Sequence, residues 1–163
     1  MASLTQHLES RHAIRLAAIT GLLVLGIDQI TKNLARDYFQ DGPYSVIGDW
    51  LRVRYAENPG AAFSSFTGSG PLIGLIAIGV VVFLVYLVAR TSRRIDIVAL
   101  GLILGGALGN LADRVFRGEG VLDGAVVDWI DWWFIPTFNV ADAALNVGVA
   151  ILLIAAVFHP DRG

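Results

Sequence analysis

The sequence predicts a mainly α-helical membrane protein, with four transmembrane helices and a small β-sheet on one side of the bilayer. Three observations predict it. The chain is 55% hydrophobic and only 16% charged over 163 residues, with a mean hydropathy of +0.65, whereas soluble domains carry charge on about a quarter of their residues. Apolar runs recur four times; the second alone nears the roughly 20 residues that cross about 30 Å of hydrocarbon, and the others reach that length with a polar end included. Between the first two runs lies a polar stretch in which apolar residues partly alternate, the period of a strand.

The first run, Leu16 to Ile27, is uncharged and predicts a helix over 13–34. It is read as a retained helix and not a cleaved leader. No small-residue cleavage site follows it cleanly, and its end carries Asp28, Gln29 and Lys32. Pro71 to Ala89 has no charge over a full span and predicts a helix over 71–90. Ile97 to Ala112 is Gly-rich and predicts a helix over 95–113; Gly101, Gly105 and Gly109 recur every four residues, a face for tight packing on a neighbour. Ala143 to Phe158 completes a helix over 139–158. Residues 1–163 form one membrane domain, with connecting loops 35–70 and 114–138.

Orientation follows from the basic link Arg90-Thr91-Ser92-Arg93-Arg94, helped by Arg11 and Arg15. Positive charge marks the cytoplasmic side. Both termini are therefore expected in the cytoplasm and both long loops outside. In the first loop, Tyr44 to Tyr55 holds Val46, Ile47, Trp50, Leu51 and Val53, which predicts one or two strands broken near Gly48-Asp49. The second loop ends in Trp129, Trp132, Trp133 and Phe134, side chains that favour the headgroup level.

Composition excludes several classes of function. A net charge of −2 with no basic stripe gives no case for nucleic acid. With no cysteine there is no disulfide, thiolate metal site or cysteine nucleophile. His7, His12 and His159 lie near the two termini, so neither a metal centre nor a histidine-based site is expected, and no cofactor is implied.

Polar residues gather at one end of the helices. Asp28 and Lys32 share a face at four-residue spacing and can pair. Asn58-Pro59-Gly60-Ala61-Ala62-Phe63 combines a fixed torsion, a permissive one and small side chains, and by itself reads as a turn back into the membrane. Asn110, Asp113 and Arg114 close the third helix, where Asp113 and Arg114 suit a helix-end lock. On the fourth, Asn139, Asp142 and Asn146 make one polar stripe. If Asp128 folds back over that helix, two carboxylates come close. They cannot both ionise easily, so the pair holds a base and an acid together. Capping and interhelical hydrogen bonding remain the alternative on spacing alone.

Together these residues resemble the lipoprotein signal peptidase (signal peptidase II) family, from about Gly26 to Gly148. The resemblance rests on Asp28-Gln29-x-x-Lys32, Asn58-x-Gly60-Ala61-Ala62-Phe63, Gly105-Gly106-Ala107-x-Gly109-Asn110-x-x-Asp113-Arg114, Val127-Asp128 and Phe138-Asn139-x-Ala141-Asp142. It implies a bacterial inner-membrane aspartyl endopeptidase with four transmembrane helices, a β-sheet cradle and a short outer helix or loop. It implies Asp128 and Asp142 as catalytic. It assigns Asn58, Gly60, Asn110, Asp113, Arg114, Asn139 and Ala141 to substrate binding or support, and Asp28 and Lys32 to a structural pair. The implied substrate is a diacylglyceryl-prolipoprotein cleaved just before its lipidated cysteine, near the outer face of the membrane. Membrane lipid and globomycin-type cyclic peptide inhibitors are the other implied partners, and the chain is expected to act as a monomer.

Two rival readings compete. A Ser-Lys protease could use Lys32, the only lysine, with Ser64 or Ser65, but Asp28 beside Lys32 would keep it charged and a poor base. A proton-coupled carrier could use buried aspartates, but these sit near helix ends and no inverted repeat is visible.

Overall fold

The computed structural model describes residues 2–60 and 70–158. Helix α1 (Ala2–Tyr38) leads into strands β1 (Tyr44–Ile47) and β2 (Leu51–Asn58). Helices α2 (Gly70–Arg90) and α3 (Arg94–Phe116) follow, then strand β3 (Val126–Trp132) and helix α4 (Val140–Phe158). All four helices are long and apolar enough to cross a membrane. The expected four-helix architecture with a small sheet is thus present.

Helix ends differ from those read by hydropathy. α1 runs well beyond 13–34 at both ends, and α3 continues past Asp113 to Phe116. Hydropathy marks where hydrocarbon begins, whereas a helix stops where its backbone is broken. The first such break after α1 is Gly42-Pro43.

α3 is the central helix. Its apolar window is 44% buried, against 17–22% for the other three. Its small residues let both neighbours approach backbone to backbone: a Cβ at Gly105 would lie 2.6 Å from the Gly21 carbonyl of α1. On the opposite face, a Cβ at Gly106 would clash with the Ala141 carbonyl of α4. Away from the sheet, Ala13, Ala17, Leu84, Val88, Ile97, Leu100 and Ile103 pack α1, α2 and α3 into one apolar core. Large apolar side chains elsewhere point outward, such as Leu22, Val82 and Leu153. A helix bundle whose solvent is lipid exposes such residues.

The sheet is antiparallel in the order β1-β2-β3. β1 and β2 form the hairpin expected around Gly48, whose φ of +50° suits a residue without a side chain. β3 is an addition. The segment read as an aromatic outer loop is a strand paired with β2, setting Ala56 opposite Asp128 and Asn58 opposite Val126. Among the described residues the second long connection is strand and turn, the loop form of the expected "short outer helix or loop". Trp132, Trp133 and Phe134 form an exposed aromatic cluster with Trp50 of the hairpin, with ring centroids 5.2–5.6 Å apart. Trp129 is half-buried and apart from them.

Candidate active site

Beneath the sheet, α1 and α3 share a buried charge cluster. Lys32 is fully buried, and its ammonium has three partners for its three protons. They are Asp28 Oδ2 at 2.8 Å, Asp113 Oδ2 at 2.7 Å and Asn110 Oδ1 at 2.9 Å. Arg117 adds a second cation, its Nε 2.7 Å from Asp113 Oδ1. Two cations thus face two carboxylates, which makes burial tolerable. Gly109 makes room for the cluster, since a Cβ there would sit 2.6 Å from Asp28 Oδ2. Gln29 donates to Asp28, Asp113 and the Gly109 carbonyl, tying both aspartates to α3.

The cluster grips the backbone on both sides of the site. The Val127 N–H donates to Asp113 Oδ2 at 3.2 Å, and the Ala141 N–H donates to Asp28 Oδ1 at 2.9 Å. Each amide belongs to the residue just before one carboxylate of the expected pair, Asp128 on β3 and Asp142 on α4.

Asparagines hold the pair itself. Asn139, fully buried, donates from Nδ2 to Asp128 Oδ1 at 2.7 Å, and its backbone N–H lies 3.3 Å from Asp142 Oδ2. Its Oδ1 accepts from the Asp142 N–H at 2.9 Å, so Asn139 also caps α4. Asn58 donates to Asp128 Oδ2 at 3.1 Å, and Asn110 donates to Asp142 Oδ1 at 2.8 Å. Asp128 is 3% exposed and Asp142 half-buried. Burial pushes the Asp128 carboxyl up to about 6; the Asn58 and Asn139 hydrogen bonds oppose this, and the neighbouring charge of Asp142 adds to it.

Both carboxylates open onto one cavity of about 310 Å³. Asn58, Asn110 and Arg114 are its other polar walls. Ile73, Ala77 and Val80 of α2 face Ala107 and Leu111 of α3 and Leu145 of α4 across the apolar remainder. Arg114 is 7% exposed and reaches the Gly124 carbonyl at 3.4 Å. Gly60 turns the chain beside it at φ +106°, donating to Asn58 Oδ1 at 3.0 Å. A side chain there would strike Ile73.

The expected site residues therefore separate by position. Asp128, Asp142, Asn58, Asn110 and Arg114 line the cavity, with Asn139 behind the pair. Asp28, Lys32 and Asp113 lie on the far side of α3. Asp113 is more than a helix-end lock, because it joins α1, α3 and β3. Ala141 contributes its backbone, and Asn146 stays exposed against the Asp142 carbonyl. Ala61, Ala62, Phe63, Ser64 and Ser65 lie outside the described residues. Gln29 and Arg117 were missed as supports. Gln29 stands inside the Asp28-Lys32 motif, and Arg117 stands four residues after Asp113, the spacing of a helical ion pair.

A polytopic membrane protein with a carboxylate-lined cavity at one end of its bundle is thereby defined. The sequence model of "Signal peptidase (SPase) II" matches residues 20–158. The chain is 43% identical to the lipoprotein signal peptidase of Rhodococcus jostii strain RHA1, over 96% of this chain and 80% of that one. It is 41% identical to the one from Mycobacterium tuberculosis strain H37Rv, over 91% and 74%. Its fold is similar to that of a bacterial membrane enzyme solved at 1.9 Å by the in meso method, with a TM-score of 0.77 and 31% identity over 90% of this chain and 94% of that one. The chain belongs to the signal peptidase II family.

Proposed function

We propose that this protein is an aspartyl endopeptidase that removes the signal peptide from diacylglyceryl-modified prolipoproteins, cutting just before the lipidated cysteine. The observation that carries the reading is the sharing of Asn139 by Asp128 and Asp142, which holds both carboxylates to one cavity. Family membership and the names of the relatives support a peptidase acting on lipoprotein precursors.

The reaction uses one ionised and one protonated carboxyl. The ionised group takes a proton from a water between the pair, and that water attacks the scissile carbonyl. The protonated partner hydrogen-bonds the carbonyl oxygen and then helps protonate the leaving amine. Burial, which raises the Asp128 carboxyl to about 6, makes a proton easier to keep on the pair than on an exposed aspartate. Arg114 offers donors to the substrate backbone. The apolar wall between α2, α3 and α4 suits the diacylglycerol chains.

The active site lies near the outer face of the bacterial inner membrane, with both termini in the cytoplasm, as the basic Arg90–Arg94 link supports. The protein acts as a monomer, and globomycin-type cyclic peptides occupy the same cavity. A lipidated peptide assay tests the reading: Asp128→Asn and Asp142→Asn each insert and fold but do not cleave. Substantial turnover by either purified variant refutes it.

A further inference from the structure

We infer that Lys32 is a positioning residue for the dyad, fixing which way the Asn110 amide faces and so which of its ends meets Asp142. The inference rests on the aspartyl reading above.

An asparagine amide has an accepting end and a donating end, and only its partners decide between them. Asn110 sits between an ammonium and a carboxylate. Its Oδ1 accepts from Lys32 Nζ at 2.9 Å and from Asn139 Nδ2 at 3.2 Å, and its Nδ2 donates to Asp142 Oδ1 at 2.8 Å. Turned over, the NH₂ would face an ammonium and the oxygen would face a carboxylate. Both contacts would be repulsive, so the buried cation leaves one orientation.

The other two dyad asparagines are fixed in the same way by different donors. The Gly60 N–H occupies Asn58 Oδ1, and the Asp142 N–H occupies Asn139 Oδ1. In all three, the oxygen end accepts from a donor and an N–H reaches a dyad carboxylate. Of the three, and among the described residues, Asn110 is the one whose oxygen accepts from a charged side chain. Asp28 and Asp113, which bind the same ammonium, also hold the Ala141 and Val127 amides. Lys32 thus lies one residue removed from the Val127 and Ala141 amides and from Asp142, without itself lining the cavity.

The test measures kcat, KM and thermal stability of full-length protein in detergent with a diacylglyceryl peptide. Lys32→Met alone leaves two buried carboxylates to one remaining cation, Arg117, so the informative variant is Asp28→Asn/Lys32→Met. It removes one charge of each sign, keeps an acceptor for the Ala141 amide and leaves Asp113 with Arg117. Expected is a kcat loss of roughly 10- to 100-fold, the value of a charge-assisted hydrogen bond, with KM within about threefold. Adding Asn110→Ala to that background costs less than about twofold more, because the amide is already unfixed. Wild-type kcat in the double variant, or a full multiplication of the two losses, overturns the inference. A second arm is Asn110→Asp, which leaves all four cluster charges in place, still accepts from Lys32 and offers Asp142 no N–H. It should lose kcat by at least about 10-fold while the protein still folds, and wild-type kcat overturns the inference there as well. Failure of the aspartyl reading looks different, because Asp128→Asn and Asp142→Asn would then still turn over.

Discussion

Replacing Asp128 by asparagine should make the protein more stable at alkaline pH, and by an amount that depends on pH. Burial raises the carboxyl from 3.8 to about 6 in the folded chain. A carboxylate raised in this way penalises the fold once it is ionised. Its contribution is small below about pH 4, grows into a penalty between about pH 4 and pH 6, and is constant above that. A little over two pH decades at about 1.36 kcal/mol each gives about 3 kcal/mol at pH 8. Asparagine does not titrate. It accepts from only one of Asn58 and Asn139, which costs about 1 kcal/mol at every pH alike. The difference between variant and wild type should therefore swing by about 3 kcal/mol between pH 4 and pH 8. At about 2–4 °C per kcal/mol for a chain of this size, the swing in Tm is roughly 6–12 °C. Thermal unfolding in detergent, followed by tryptophan fluorescence at pH 4, 6 and 8, measures it. A constant offset between the two proteins across that range refutes burial as the dominant influence on Asp128.

Three further substitutions probe the surroundings. Asp28→Ala leaves Lys32 short of a carboxylate and the Ala141 amide without its acceptor, so it should lower stability by about 3–5 kcal/mol in thermal unfolding. Complete loss of cleavage at full stability would instead argue for a direct chemical role. Gly109→Ala forces a methyl to 2.6 Å from Asp28 Oδ2 and 3.2 Å from the Ala141 side chain. An overpacking loss of about 1–3 kcal/mol should appear as a lower Tm, and an unchanged Tm would mean that α1 and α3 can separate freely. Arg52→Ala takes the half-exposed Arg52 away from the buried Asp131, 3.0 Å from it, which should lower stability by about 1–3 kcal/mol and leave cleavage intact. A large drop in kcat there would place the sheet face against the substrate.

The bilayer explains why the helices were legible. Hydrocarbon imposes a minimum apolar length, and Pro71–Ala89 meets it with no charge at all. The β1–β2 hairpin announced itself by partial alternation around Gly48. Strand β3 did not. Val126, Val127 and Asp128 are buried on both faces, so Val-Val-Asp-Trp-Ile-Asp-Trp shows no period of two. Its pairing with β2 is a contact across about 70 residues of chain, which local pattern does not encode. The polar stripe of α4 placed Asp142 correctly on a face, but the fold-back that brings Asp128 to it came from the family resemblance and not from spacing. Asp113 was legible as a helix-end residue. Its reach to α1 and β3 depends on Gly109 leaving room for the Asp28 carboxylate beside α3, a tertiary fact with no local signature.

The grip on Val127 and Ala141 comes from α1 and α3, whereas Ile73, Ala77 and Val80 of the cavity wall belong to α2. The spacing of the reacting groups and the shape offered to a guest are thus set by different parts of the chain. Exchanging side chains along that one wall should change what fits the cavity while leaving the two carboxylates where they are.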